Sequence, residues 1–142
     1  MRKKTLLLVA LLGGTVIAAE DVRQLAKLPP QAEINLREEM RVSLLQLNEV
    51  ISLVVAGKVK EAGELAEKEL GISAMGKNRA LPLEARPGAN MPPGMHQIGQ
   101  EGHKDASAFA AIAATGDREK ALAAIPKMTA TCIACHYSYR IR

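Results

Sequence analysis

The clearest pattern in the chain is a set of apolar residues that recurs every three or four positions between residues 32 and 54. This spacing predicts a helix of about seven turns that buries one face. Pro29 and Pro30 precede the pattern and Gly57 follows it, as is typical of the two ends of a helix. The predicted buried stripe consists of Leu36, Met40, Leu44, Leu47, Ile51 and Val54.

A second, shorter helix is predicted from about Val59 to Leu70, because apolar and charged residues again alternate at helical spacing. Only Gly57 and Lys58 separate the two helices, so we expect them to form an antiparallel pair. Residues 72–94 follow, with four prolines and three glycines and no sustained period. They predict a long crossing loop, and such loops often have a task, such as covering a ligand.

Two more helices are predicted after this loop. The third runs from about Met95 to Ala114, and its Gly99 and Gly102 weaken it as a helix. These glycines have two interpretations, close packing between helices or room for a flat cofactor. Asp117 is the expected N-cap of the last helix. The buried stripe of that helix contains Leu122, Ile125, Met128, Cys132, Cys135 and Tyr139, and Pro126 predicts a bend.

Four helices without strands predict an all-α fold, an antiparallel four-helix bundle with a cofactor between its helices. The composition adds one point. Phe109, Tyr137 and Tyr139 are the only aromatic residues in the chain. A large flat cofactor would therefore be part of the core, where a domain of this size normally has several aromatic rings.

The first 19 residues have the order of parts found in secretory signal peptides. A basic start, Met1 to Lys4, precedes an apolar run that ends at Ala19. We expect cleavage after Ala18 or Ala19, export to the periplasm and no stable membrane insertion afterwards. An uncleaved anchor is the alternative, but this run is shorter than the roughly 20 residues of a membrane-spanning helix.

Residues 20–142 then form a single domain of 123 residues. Removing the basic residues Arg2, Lys3 and Lys4 lowers the formal net charge from +4 to +1. The remaining sequence has no basic patch interleaved with aromatic residues, which argues against a nucleic acid as partner.

The chemistry of the chain is concentrated in Cys132-Ile133-Ala134-Cys135-His136. Two cysteines separated by two residues and followed by histidine are the attachment motif of a c-type haem. The thiols of Cys132 and Cys135 can add to the two vinyl groups of haem, and His136 can ligate the iron. On a helix the two cysteines stand on nearly the same face. The motif predicts one covalently bound haem c near the C-terminal end of the last helix.

The cysteine pair has two other interpretations, a redox-active dithiol and a zinc site. A redox-active dithiol of the thioredoxin kind would need a βαβ setting, and no strand-like alternation surrounds the motif. A zinc site would need a fourth ligand, for which only His96 and His103 remain. Both histidines are one heptad apart and are expected at a solvent-exposed edge of the third helix.

Together with Tyr137-Ser138-Tyr139-Arg140 after the motif and Leu36-Arg37-Glu38-Glu39-Met40 in the first helix, the chain resembles the class II c-type cytochromes, the cytochrome c′ family. These are exported four-helix bundles with the haem motif near the end of the last helix. The resemblance implies that Arg37 meets a haem propionate and that Arg140 lies near His136.

The resemblance also places Met40 above the open face of the iron, as the sixth ligand found in the low-spin branch of the family. In the high-spin branch this residue does not ligate and the iron is five-coordinate. Without the resemblance Met40 is an ordinary core methionine. Met91, Met95 and His103 are the other candidates for a sixth ligand, and the position can also be empty.

The function expected from these residues is that of a periplasmic carrier of single electrons, not an enzyme. Its partners would be redox proteins that bind transiently, and the family adds the expectation of a homodimer formed through the first two helices. A five-coordinate haem protein that binds nitric oxide or carbon monoxide is the alternative. A helical binding module with a purely structural haem is a third hypothesis.

Overall fold

The first long helix shows how local sequence sets the fold. In the computed structural model, which describes residues 20–142, helix α1 spans Pro30–Val55. Proline suits the first position of a helix, because its missing N–H would have no partner there. The chain leaves α1 through Gly57, whose φ of 81° lies in the region that glycine tolerates. The signal peptide expected over residues 1–19 lies outside the described residues.

The other helices lie close to their predicted positions. Helix α2 spans Val59–Glu69, a short helix α3 spans Pro87–Asn90, and α4 and α5 span Pro93–Ala113 and Arg118–Ser138. Asp117 caps α5, since its Oδ1 accepts a hydrogen bond from the Lys120 backbone N–H at 3.0 Å. The chain is thus mostly helical, and the prediction of an all-α protein is confirmed.

The prediction that the chain has no strands is wrong in one place. Strand β1, Gln24–Leu25, pairs in parallel with strand β2, Tyr139–Arg140. The Ala26 N–H extends the pairing with a hydrogen bond of 2.8 Å to the Arg140 carbonyl oxygen. Strands of two residues are too short for an alternating pattern, so a sequence reading cannot detect them. The pairing joins the two ends of the described chain.

The main core lies among α1, α2, α4 and α5. Helix α4 packs against both α2 and α5, whereas α1 packs mainly against α2 and has much less contact with α5. Gly63 allows the close approach of α2 to α4, because a Cβ there would lie 2.9 Å from the Ala113 Cβ. The buried residues of this core are Val50, Val54, Val59, Ala62, Ala66, Ala106, Phe109, Ala113, Ala121 and Met128.

The predicted long loop has more structure than its composition indicates. It contains the 3₁₀ turns Ile72–Ala74 and Leu83–Ala85 as well as α3. It packs against α1, where Asn35 Nδ2 donates to the Ala85 carbonyl oxygen at 2.7 Å and Asn78 donates to the Glu39 carboxylate. Burial raises the pKa of Glu39 above its ordinary value.

None of the helices within residues 20–142 combines the length and the apolar content needed to cross a membrane.

Candidate functional site

The motif predicted to attach haem lies on the last turns of α5. Cys132 and His136 are exposed, and Cys135 is half-buried. Both cysteines are free thiols. Because α5 ends at Ser138 and β2 follows at once, the motif lies beside the pairing of β1 with β2.

A small apolar cluster surrounds this end of α5. Leu36 of α1 and Met95 of α4 are buried in it together with Ala26, and Cys135 packs against them. The outer members are Leu28, Met91, Tyr139 and Ile141. The structure therefore brings the start of α1 and two of the loop methionines into contact with the motif region, although these residues are far apart in sequence.

The predicted buried stripe of α1 is uncovered in its first half. Leu36 is 3% exposed, but Met40 is 42% exposed and Leu44 is 68% exposed; Leu47 and Ile51 are half-buried and Val54 is fully buried. The expectation of a continuous buried stripe is wrong at Met40 and Leu44, because no described part of the protein covers them. The stripe of α5 shows the same change, from buried Met128 to exposed Cys132.

These two uncovered stretches lie at the same level of the molecule. Leu36 shares a cluster with Cys135, and at the other ends of the two helices Arg118 Nε donates to the Val54 carbonyl oxygen at 3.1 Å. Met40 is four residues after Leu36 and Cys132 is three before Cys135. With a rise of about 1.5 Å per residue, Cys132 lies roughly 4.5 Å from Cys135 and Met40 roughly 6 Å from Leu36 along the helix axes.

Two arginines near the motif have buried nitrogen atoms that make no hydrogen bond. Among the described residues these are Arg37 Nε and Arg140 Nε. Arg37 Nε lies 3.3 Å from Glu33 Oε1, which is within ion-pair distance but without the alignment of a hydrogen bond. Arg140 Nε lies 3.7 Å from Asp21 Oδ2. Each nitrogen thus has a carboxylate nearby but no aligned hydrogen bond, and a buried N–H without such a bond is unfavourable, so both can accept a further anionic partner.

The segment before β1 reaches the end of α5. Arg23 Nη1 lies 3.4 Å from the His136 carbonyl oxygen, to which it donates, and Arg23 also pairs with Asp21 at 2.7 Å. The hydrogen bonds from the Arg23 side chain and backbone lower the pKa of Asp21 from 3.8 to about 2. A free carbonyl at the end of a helix needs such a donor. Asp21 and Arg23 were not predicted as site residues, because their partners at the end of α5 and in β2 are over a hundred residues away.

The surroundings of the two thiols differ from those of a redox-active dithiol. Although Cys132 is exposed as a residue, its thiol is partly desolvated, which raises its pKa; burial, together with the neighbouring Cys132, raises the pKa of Cys135. Reactive cysteines in thioredoxin-like motifs have a lowered thiol pKa. The local environment therefore does not provide what the dithiol interpretation requires.

The zinc interpretation lacks its fourth ligand in the structure. In residues 20–142 no three His, Cys, Asp or Glu side chains come close enough to hold one metal ion. His96 Nδ1 lies 2.7 Å from the Gly88 carbonyl oxygen, and His103 Nδ1 lies 2.7 Å from that of Leu70. Both rings are half-buried links from α4 to neighbouring segments, so the prediction of solvent-edge histidines is wrong.

The two glycines of α4 have different surroundings. A Cβ at Gly102 would lie 3.0 Å from Thr131 Oγ1 on α5, so Gly102 serves close helix packing. A Cβ at Gly99 would meet nothing within 4 Å. Gly94 is a further close contact, since a Cβ there would lie 2.6 Å from the Tyr139 hydroxyl. These small residues bring α4 against α5 and β2.

Comparisons of the chain with protein-family models, with curated proteins and with solved structures found no match. The likeness to class II cytochromes is therefore carried by the quoted residues alone.

Proposed function

We propose that the protein is an exported, periplasmic c-type cytochrome that carries single electrons through one covalently attached haem. Cys132 and Cys135 would hold the haem, and His136 and Met40 would ligate its iron. The observation that carries the proposal is that Met40 on α1 and Cys132 on α5 are both exposed, whereas Leu36 and Met128 on the same stripes are buried. The helical rise puts Met40 and Cys132 at a similar level.

The residues present fit such a group in three respects. Both cysteines are free, as thioether formation requires. Cys132, Cys135 and His136 do not converge on one point, which is unsuited to a single metal ion but suited to the separate parts of a macrocycle. Met40 and Leu44 of α1 are exposed apolar side chains, and a large flat apolar group held by the cysteines would cover them.

The propionates of haem also have candidate partners in the protein. Haem carries two propionates, and Arg37 and Arg140 each have a buried Nε without a hydrogen bond. Arg37 is three residues before Met40, so about one helical turn separates the proposed propionate contact from the proposed iron ligand. Charge-assisted hydrogen bonds from these arginines would satisfy both buried donors.

Met40 is the best placed of the candidates for the sixth ligand. Its exposed side chain lies level with Cys132, whereas Met95 is buried against Leu36. His103 is bonded to the carbonyl oxygens of Leu70 and Gly71, at the end of α2. Met91 packs at the rim of the apolar cluster. We therefore assign the ligand to Met40 in the proposal.

The proposed architecture is an antiparallel four-helix bundle of α1, α2, α4 and α5 with the haem beside α5. Two contacts support opposite directions for α1 and α5, because Leu36 lies near Cys135 and Val54 lies near Arg118. The two-residue connection Gly57-Lys58 supports the same for α1 and α2.

When bound, haem would supply an iron that cycles between the ferrous and ferric states. A thioether ligand from Met40 raises the reduction potential. Two permanent side-chain ligands leave no position for substrate, so we propose a carrier and not an enzyme. Redox proteins would be its transient partners.

The test is expression in a host competent for cytochrome maturation, followed by mass spectrometry and absorption spectra in both oxidation states. We expect the mass of one covalent haem and a low-spin ferric spectrum with a methionine ligand. Met40→Ala should lose the methionine signal. Met75→Ala is the matched control, because Met75 is 41% exposed on the loop after α2.

A colourless product would reject the whole proposal. A ferric spectrum that is unchanged in Met40→Ala would reject Met40 as the ligand while leaving attachment through the cysteines intact.

One observation favours the alternative function, binding of nitric oxide or carbon monoxide by a five-coordinate iron. Leu44, one turn beyond Met40, is even more exposed, so the uncovered apolar stretch extends past the proposed ligand. Carbon monoxide added to the reduced protein separates the two functions. Fast binding equal in the native protein and Met40→Ala would favour the gas-binding function, because no ligand would need to be displaced.

A further inference from the structure

The last turn of α5 is exposed between two packed residues. Cys135 and Tyr139 belong to the apolar cluster at this end of the helix. The three residues between them, His136, Tyr137 and Ser138, are exposed. The last turn of a helix frays readily, because its last four carbonyls have no partner within the helix. The proposed iron ligand His136 therefore lies on a turn that needs support from another part of the chain.

Residues 21–26, named here the N-terminal strap, provide contacts to this turn. Arg23 Nη1 donates a hydrogen bond to the His136 carbonyl oxygen at 3.4 Å. Strand β1, which follows Arg23 at once, pairs with β2. The Ala26 N–H then donates to the Arg140 carbonyl oxygen at 2.8 Å. The strap thus contacts the backbone both within the last turn of α5 and just after it.

The guanidinium of Arg23 is itself held in place by Asp21. Its Nε and Nη2 donate to the two carboxylate oxygens of Asp21 at 2.9 and 2.7 Å, and the Arg23 backbone N–H donates to Oδ1 at 3.1 Å. A bidentate pair of this kind fixes the orientation of a guanidinium. Nη1 takes no part in the pairing, and it is the atom that donates to the His136 carbonyl oxygen. A cation at this position also interacts favourably with the C-terminal end of a helix.

Burial of its own side chains contributes little to holding the N-terminal strap in place. Ala26 is the one buried residue of the strap, and Val22 is 93% exposed. Segments with few buried contacts normally belong to the least stable parts of a protein. The strap is therefore held mainly by its hydrogen bonds to the end of α5, and the two segments stabilise each other.

We propose that Arg23 is a positioning residue for His136, and that the N-terminal strap fixes the last turn of α5 so that this histidine keeps one orientation towards the haem iron. This inference rests on the proposed function. Groups around a metal-ligating histidine normally fix its orientation, and the metal site is weakened when they are lost. Here the support would act through the backbone of the ligand rather than through its ring. A ligand held in one orientation suits an electron carrier, because the geometry of the site then changes little between the two oxidation states.

The charge of Arg23 must be separated from its contact with the helix end. Arg140 Nε, the proposed partner of a propionate, lies 3.7 Å from Asp21 Oδ2. Removing Arg23 alone would leave the Asp21 carboxylate free to pair with Arg140 and would change the charge around the haem. Removing Arg23 and Asp21 together keeps the net charge constant, so any effect would then come from the lost support.

The test compares the ferric holoprotein with a double variant that combines Arg23→Met with Asp21→Asn. The Tyr139 amide donates to the Cys135 carbonyl oxygen in the last turn. In the double variant we expect this amide to exchange its hydrogen roughly three- to tenfold faster, as for the loss of one hydrogen bond. We also expect the low-spin electron paramagnetic resonance signal to broaden or split, because this signal depends on the orientation of the axial ligands.

Two controls accompany the double variant. Lys27→Met removes a positive charge from the exposed residue that follows the strap, and it should match the native protein in both measurements. The amide of Phe109, which is buried in the main core, should exchange at the native rate in all three proteins. The second control separates a local effect at the end of α5 from a general loss of stability.

The outcomes separate the inference from the proposed function. A native resonance signal in the double variant would overturn the positioning role, even with faster exchange at Tyr139, and would leave the carrier function standing. Unchanged exchange at Tyr139 would also overturn it, since the strap would then not support the last turn. Equally faster exchange at Phe109 would assign the effect to the whole fold and overturn it as well. A protein without haem would reject the proposed function, and the inference with it.

Discussion

The guanidinium of Arg118, the first residue of α5, donates hydrogen bonds to the carbonyl oxygens of Val54 and Val55 at the end of α1, at 3.1 and 3.3 Å. The last four carbonyls of a helix have no partner within it. That of Val54 also accepts a hydrogen bond from the Gly57 N–H at 3.0 Å, just beyond the end of α1. Arg118 thus joins the end of α1 to the start of α5, at the opposite end of the molecule from the haem motif.

Replacing Arg118 with methionine should lower the free energy of unfolding by about 1–2 kcal/mol, since hydrogen bonds from a charged donor would be lost. Urea unfolding followed by circular dichroism measures this change. Lys60→Met is the control, because Lys60 is exposed on α2 and makes none of the ion pairs found in the described residues. Equal effects of the two substitutions would contradict a specific role for Arg118.

Replacing one glycine of α2 and one of α4 with alanine should change the stability of the protein in opposite directions. Gly63→Ala should destabilise by roughly 1–3 kcal/mol, because the new Cβ would lie 2.9 Å from the Ala113 Cβ and 3.0 Å from the Ala110 carbonyl oxygen. Gly99→Ala should stabilise by up to about 1 kcal/mol, since nothing lies within 4 Å and alanine favours the helix. Thermal unfolding of both variants is the measurement, and the same sign for both would contradict the packing described.

The segment that carries Asp21 and β1 should be held less firmly against β2 at low pH. The pKa of Asp21 in the folded protein, about 2, is below its ordinary value of 3.8, so its contribution is fully present above about pH 4. The contribution is lost as the pH falls through about 2. Hydrogen exchange of the Ala26 amide, which is bonded to the Arg140 carbonyl oxygen, reports the attachment.

Asp21→Asn should show weaker Ala26 protection already at neutral pH and little further loss in acid. If hydrogen exchange of the Ala26 amide has the same pH dependence in the native protein and in Asp21→Asn, the ion pairs of Asp21 with Arg23 and Arg140 do not hold this segment.

If the chain binds haem as proposed, removing the charge of Arg37 should lower the reduction potential of the haem, because a positive charge near the ring favours the ferrous state. Arg37→Met is compared with Arg41→Met, one turn later on α1, where the side chain is 67% exposed and pairs with Glu38. Spectroelectrochemical titration measures both potentials. A shift of the same size in Arg41→Met would mean that Arg37 has no special contact with the proposed propionate.

Sequence patterns predicted the helices well, because their ends are set by neighbouring residues. Pro30, Gly57 and Asp117 act locally, and the observed bounds of α1, α2, α4 and α5 differ from the predicted ones by about two residues. The motif at Cys132 and His136 was also found from spacing alone. These features need no knowledge of distant contacts.

Features that depend on distant contacts were not predicted. The carbonyl partners of His96 and His103, the pairing of β1 with β2 and the contact of Arg23 with His136 all join segments brought together only by the fold. The exposure of Met40 was missed for a related reason. Periodicity identifies an apolar face, but it does not show whether another part of the chain covers that face.

The parallel pairing of β1 with β2 sets an order for the completion of the molecule. Gln24 pairs with Tyr139, 115 residues further along the chain. Closing so large a loop carries an entropic cost, whereas the contacts within each helix are local. We therefore expect the two ends of the described chain to come together after the helices have formed.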